Sequence, residues 1–216
     1  MDLVANLDRV RDRIAVAGGD PERVRILAVT KGHGVDAVRA ALAAGLADIG
    51  EDRAQALVAK ASELGDTGEL GDEFPRWHFI GQLQRNKVRQ IAHLVQLWQS
   101  VDRFQLGEEI SKRAPGANVL VEVNLTDDPA RGGTQPGLVP GLVDGLRDLG
   151  LHVGGLMAVG PVAPPDQVRG GFRQVRELAD RLGLPERSMG MSDDLELAVQ
   201  EGSTMVRVGT ALFGRR

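Results

Sequence analysis

The feature that most constrains this chain is a rhythm. Short apolar runs recur along its 216 residues, and a segment with helical spacing lies between each run and the next. The strand candidates are 25–30 (RILAVT), 47–50 (ADIG), 77–80 (WHFI), 97–101 (LWQSV), 118–123 (NVLVEV), 153–157 (VGGLM), 187–190 (RSMG) and 204–207 (TMVR). Helices are predicted over 35–44, 52–64, 84–94, 103–113, 137–149, 166–182 and 193–200. Strands that alternate with amphipathic helices pair in parallel. Eight such units in one short chain predict a closed (β/α)8 TIM barrel. An open doubly wound sheet gives a similar string, so the choice rests on the count of eight, in which the second, seventh and eighth strands are short. An extra helix precedes the first strand: Leu3, Leu7, Val10 and Ile14 fall on one face, and Gly18-Gly19-Asp20-Pro21 stops it. No composition break marks a second domain, so residues 1–216 are expected to form one. The stretches 65–75 (GDTGELGDEFP) and 126–136 (TDDPARGGTQP) read as flexible loops.

Composition narrows the chemistry. The net charge is −4, which does not favour nucleic acid as a partner. No window is apolar enough to span a membrane, and the charged N-terminal segment does not read as a signal peptide. The chain has no cysteine. That removes disulfides, thiolate catalysis and zinc–thiolate sites, and fits a cytoplasmic protein. It has no tyrosine, so no mechanism can use a tyrosine base from this chain. Its four histidines lie far apart, with no His-x3-His pair, so no metal site is expected.

In a (β/α)8 barrel the active site lies at the C-terminal ends of the strands. Lys31 follows the first strand directly. A low-dielectric wall there would lower its pKa and free its amine to attack a carbonyl; equally, a lysine at a strand end can simply snorkel to solvent. After the seventh strand comes SMGMSDD (188–194), where Ser192 or Asp193 could cap the next helix and bind an anion. After the eighth comes RVGTALFG (207–214), where Gly209 allows close backbone approach and Thr210 offers an N–H and a hydroxyl. Barrels often bind phosphate on these two loops. The ligand these residues imply has a phosphate at one end and a carbonyl at the other. A phosphorylated sugar aldehyde and pyridoxal phosphate both fit. Arg207 favours the second, because a permanent cation would hold a pyridine nitrogen unprotonated.

These residues carry a family resemblance. The marks are LAVTK (27–31), Gly50-Glu51, WHFIG (77–81) with Leu83-Gln84 and Asn86-Lys87, Ser100-Val101-Asp102, Val123-Asn124, Gly155-Leu156-Met157, SMGMSDD and the run 202–214. On them the chain resembles the pyridoxal-phosphate homeostasis proteins, a family similar to the N-terminal barrel of alanine racemases without its second domain. The resemblance implies that Lys31 holds pyridoxal 5′-phosphate as an internal aldimine and that Arg207 faces the pyridine nitrogen. It implies that Ser192, Gly209 and Thr210 hold the phosphate, and that His78 and Asp52 lie beside the ring. It implies a carrier or regulator of intracellular cofactor with no established reaction, a monomer, and PLP-dependent apoenzymes as partners. A weak one-base amino-acid racemase is the alternative. The chain departs from the family at Asp52, where Asn is usual, at Gln82, where proline is common, and at Arg131, near a usual lysine. The segment Gly32-His33-Gly34 reads as a loose loop in which His33 is solvated.

Overall fold

The computed structural model describes residues 2–65, 74–126, 128 and 131–214. The eight strands are β1 (Arg25–Val29), β2 (Asp48–Glu51), β3 (Arg76–Phe79), β4 (Val95–Val101), β5 (Asn118–Val123), β6 (His152–Ala158), β7 (Glu186–Met189) and β8 (Met205–Val208). They form one closed barrel in sequence order, and β1 closes the ring on β8 in parallel. The open-sheet alternative is thereby excluded.

The helices are α1 (Leu3–Val16), α2 (Val35–Ala43), α3 (Ala54–Gly65), α4 (Arg85–Ile91), α5 (Phe104–Arg113), α6 (Val139–Asp148), α7 (Pro165–Arg181), α8 (Leu195–Gln200) and α9 (Thr210–Phe213). The last is a single turn in the stretch read above only as a ligand loop. Among the described residues no helix is long and apolar enough to cross a membrane.

Alternation along each strand divides the core in two. Outward residues such as Ile26, Ile49, Phe79, Trp98, Val121, Leu156 and Val206 are buried against the helices. Inward residues Leu27, Leu97, Leu120, Met157 and Met205 form a second apolar cluster inside the ring. The interior is therefore a packed layer rather than a pore.

Helix α1 closes the outside of the site-bearing half. Leu7, Val10 and Ile14 are its buried stripe, and Asp2 caps its start by accepting from Ala5 N at 3.0 Å. The Asn6 amide donates to Leu212 O at 2.8 Å. Arg13 donates to Glu196 at 2.6 and 2.8 Å and to Ser192 O at 2.8 Å. The extra helix thus fastens the loops that follow β7 and β8.

Of the two stretches expected to be flexible, residues 66–73 and residues 127, 129 and 130 lie outside the described residues. The described part of the second is held in place. The Asn124 amide donates to Asp128 O and Arg131 O at 3.0 and 3.2 Å, and Thr134 bridges to Val123.

Candidate functional site

At the C-terminal mouth, between the ends of β1, β7 and β8, lies a cavity of about 210 Å³. Lys31, Ser192, Arg207, Gly209 and Thr210 line it together, with His33 and Met191.

Strand β1 delivers Lys31 through a tight turn. His33 N donates to Thr30 O at 3.0 Å, and Gly32 has φ +75°, a conformation that L side chains resist. The segment expected to be loose is therefore a closed turn, and the His33 ring leans on Phe213 at 5.3 Å between centroids. The same Thr30 carbonyl accepts from Lys60 Nζ at 2.7 Å, and the Thr30 hydroxyl donates to Glu51 Oε1 at 2.6 Å. Lys60 also pairs with Glu51, and both are buried between barrel and helix layer. Breaking a buried pair leaves an uncompensated charge, so this one fixes the root of the turn. Lys31 itself is exposed. Val29, Ile80 and Met191 supply the apolar part of the cavity wall that it shares.

Arg207 is the opposite case. Its residue is 4% exposed, and its guanidinium is fixed from three sides. Nη1 donates to Ser188 O at 2.6 Å and to Ser188 Oγ at 2.9 Å, and Nη2 donates to Ala158 O at 2.8 Å. Burial draws its pKa down to about 10, against the opposing pull of Asp194 and Glu122. It stays a cation at neutral pH.

The two phosphate-loop candidates meet each other. Ser192 Oγ accepts from Ala211 N at 3.2 Å, so Ser192 holds the first turn of α9. The expected cap of α8 by Ser192 or Asp193 does not form: the cap residue is Asp194, and its side chain makes no capping bond. Asp194 instead accepts from Met191 N at 2.6 Å and folds the loop back on itself. Burial raises its pKa, opposed by that hydrogen bond and by Arg207. A Cβ at Gly209 would lie 3.1 Å from Val29 O, so a side chain there would crowd the cavity wall.

Two expected members lie elsewhere. Asp52 faces a separate mouth cavity of about 410 Å³ with Gln82, Lys87 and Arg103. His78 is buried below the mouth, its Nε2 3.1 Å from Asp48 Oδ1 and its Nδ1 2.8 Å from Gln99 Nε2. Neither lines the Lys31 cavity. For His78 the physical reason is depth: β3 reaches the mouth with Ile80, two residues further on. Arg131 lines a third cavity, of about 150 Å³, with Glu122 and Asn124.

Several residues were not foreseen. Glu122 points inward from β5, with its Oε2 buried and without a hydrogen-bond partner. Burial pushes its pKa up to about 7, Asp102 adds to the rise, and Arg207 opposes it. A lone acid in the run VLVEV was a visible signal, as was Gln99 in LWQSV. Ser188 and the Ala158 carbonyl carried none. Among the described residues no acidic or histidine group could hold a metal ion.

The family model for the alanine racemase N-terminal domain matches residues 2–216. A pyridoxal phosphate homeostasis protein of Pseudomonas aeruginosa is 42% identical over 216 residues, covering 96% of this chain and 91% of that protein. A protein of the same name from Escherichia coli is 36% identical over 232 residues, covering 100% and 97%. The solved structure of PipY from Synechococcus elongatus with PLP bound superposes with a TM-score of 0.80 at 34% identity, covering 95% of this chain and 100% of that one.

Proposed function

The chain belongs to the pyridoxal phosphate homeostasis proteins, within the alanine racemase N-terminal domain family, and on that premise we propose that it binds pyridoxal 5′-phosphate at Lys31 and carries or regulates the intracellular supply of that cofactor. The carrying observation is one cavity that gathers an exposed lysine amine, a buried donor-only guanidinium, and the Ser192 and Thr210 hydroxyls beside a glycine.

These residues fit the group chemically. When bound, pyridoxal phosphate supplies an aldehyde, a ring nitrogen and a phosphate. The Lys31 amine is the nucleophile within reach of solvent. Arg207 has donors only, and its guanidinium is locked by two carbonyls and a hydroxyl, so it can face an acceptor nitrogen and disfavour a proton there. Ser192 and Thr210 supply neutral donors for an anion at the start of α9, and the bare Gly209 leaves them room.

The exposed mouth lets the cofactor enter and leave, which supports a role in transfer over enclosed chemistry. We assign its recipients to PLP-dependent apoenzymes and its action to a cytoplasmic monomer in which residues 1–216 work as one domain. The racemase reading is not favoured: two-faced proton transfer wants two bases, and the chain has no tyrosine.

The test is borohydride reduction of the protein after incubation with pyridoxal phosphate, followed by peptide mapping. A pyridoxyl-phosphate mass on the peptide that carries Lys31 is expected. An unmodified Lys31 overturns the proposal and brings the phosphorylated-sugar reading forward.

A further inference from the structure

Arg207 does not end at its three acceptors. Ser188 Oγ, which accepts from Arg207 Nη1 at 2.9 Å, donates to Gln99 Oε1 at 2.7 Å. The amide of Gln99 lies 2.8 Å from His78 Nδ1, and His78 Nε2 lies 3.1 Å from Asp48 Oδ1. Asp48 closes the chain by accepting from Arg76 at 2.8 and 3.0 Å. The run crosses the barrel interior from the mouth to the N-terminal end, through β8, β7, β4, β3 and β2.

Its direction is set at both ends. A guanidinium only donates, so Ser188 Oγ accepts from Arg207 and its hydrogen must go on to Gln99 Oε1. The Gln99 amide nitrogen also only donates, so His78 Nδ1 accepts. His78 Nε2 therefore carries the ring hydrogen and gives it to the Asp48 carboxylate. Ser188, Gln99 and His78 are each engaged on both sides along the chain. Leu27, Leu97, Leu120, Met157 and Met205 fill the interior beside the chain, and Met205 Sδ also takes a contact from Gln99 Nε2 at 3.2 Å. In such surroundings an unmade hydrogen bond is costly, so the chain behaves as one unit.

We infer that His78, Gln99 and Ser188 are positioning residues that fix Arg207 against the ligand, through a single one-way hydrogen-bond chain anchored on Asp48. Their role toward pyridoxal phosphate rests on the function proposed above; the coupling between His78 and Arg207 does not. Asp48 is suited to the anchor. Burial pushes its pKa up, but the hydrogen bonds from His78 and Arg76 outweigh that and hold it well below the usual carboxylate range.

Two measurements test the inference. In protein without cofactor, Arg207→Lys should shift the His78 ring-nitrogen NMR signals, although the hydrogen bonds of Arg207 go to Ser188 and Ala158. Unchanged His78 signals overturn the chain, whatever the protein binds. In pyridoxal-phosphate titrations, Gln99→Met should weaken binding about tenfold and move the absorption band of the bound cofactor, while reduction still labels Lys31. Ser188→Ala keeps the carbonyl bonds of Arg207, is the milder change should Gln99→Met fail to fold, and should weaken binding about threefold. Wild-type affinity and an unmoved band in the variants overturn the positioning role. A wild type that binds no cofactor sinks the function instead and leaves the NMR result to decide the chain.

Discussion

The two ends of the barrel interior are built on opposite rules. At the N-terminal end charges are matched: Arg25 pairs with Glu186, Arg76 with Asp48, and His78 gives its hydrogen to the same carboxylate. At the mouth they are left partly unmatched. Glu122 keeps a buried oxygen without a partner, and Arg207 is held by neutral acceptors. A matched end gains little from a ligand and serves stability. An unmatched end has hydrogen-bonding capacity that a ligand can use, and it lies on the face where barrels carry function.

The largest effect should come from the mouth. Lys31→Ala should abolish the pyridoxyl label completely and change stability by less than about 0.5 kcal/mol, because the side chain is exposed. Peptide mapping and a denaturant melt check both halves. A retained label, or an unfolded variant, would break the comparison.

The next effect belongs to the other end. Asp48→Ala removes the shared acceptor of Arg76 and His78 and should cost about 3 kcal/mol by urea unfolding, with Lys31 still labelled. A loss of label with full stability would reverse the assignment of the two ends.

Glu122 sharpens the contrast through pH. Its pKa is raised in the folded state, to about 7 from 4.5, so the folded protein holds the proton more tightly than the unfolded chain does. Stability should therefore be highest below about pH 4.5 as far as this group is concerned, and fall as pH rises to about 7, by on the order of 2 kcal/mol. Unfolding curves of Glu122→Gln should lack that slope and lie above wild type at pH 8. An unchanged slope would mean that the carboxyl is solvated after all. Asp48 acts in the opposite sense: its contribution is present above the ordinary carboxylate pKa and is lost only as acid titrates the folded group.

The smallest effect should be at the turn. Gly32→Ala forces a Cβ into φ +75° and should cost about 1 kcal/mol, with slower labelling of Lys31. Equal stability and equal labelling rate would show that the turn has another accessible form.

Much of this was legible beforehand, for local reasons. Each strand candidate lies within two residues of an observed strand, since apolar runs bounded by turn residues carry their own boundaries. The grouping of Lys31, Ser192, Arg207, Gly209 and Thr210 followed from each standing at a strand end, which a barrel necessarily brings to one face. His78 went astray because strand-end sequence says little about height, and Asp52 because it says little about which cavity of the mouth a residue faces. Closure staggers the strands, and His78 falls level with Gly50 and Leu97, below the mouth that Ile80 reaches. Ser192 misled for a related reason: next to α8 in sequence, it is engaged by α9, which closure carries alongside.

The sequence by itself determined the eightfold alternation, the extra helix, and the lysine and arginine at the ends of β1 and β8, because all of these depend on residues within a few positions of one another. The tertiary structure alone decided the inward partners: which acid stays unpaired, which carbonyls hold Arg207, and that His78 joins Gln99, Ser188 and Asp48 in one chain. Those partners come from six different strands, and only the stagger of a closed ring sets their heights against one another.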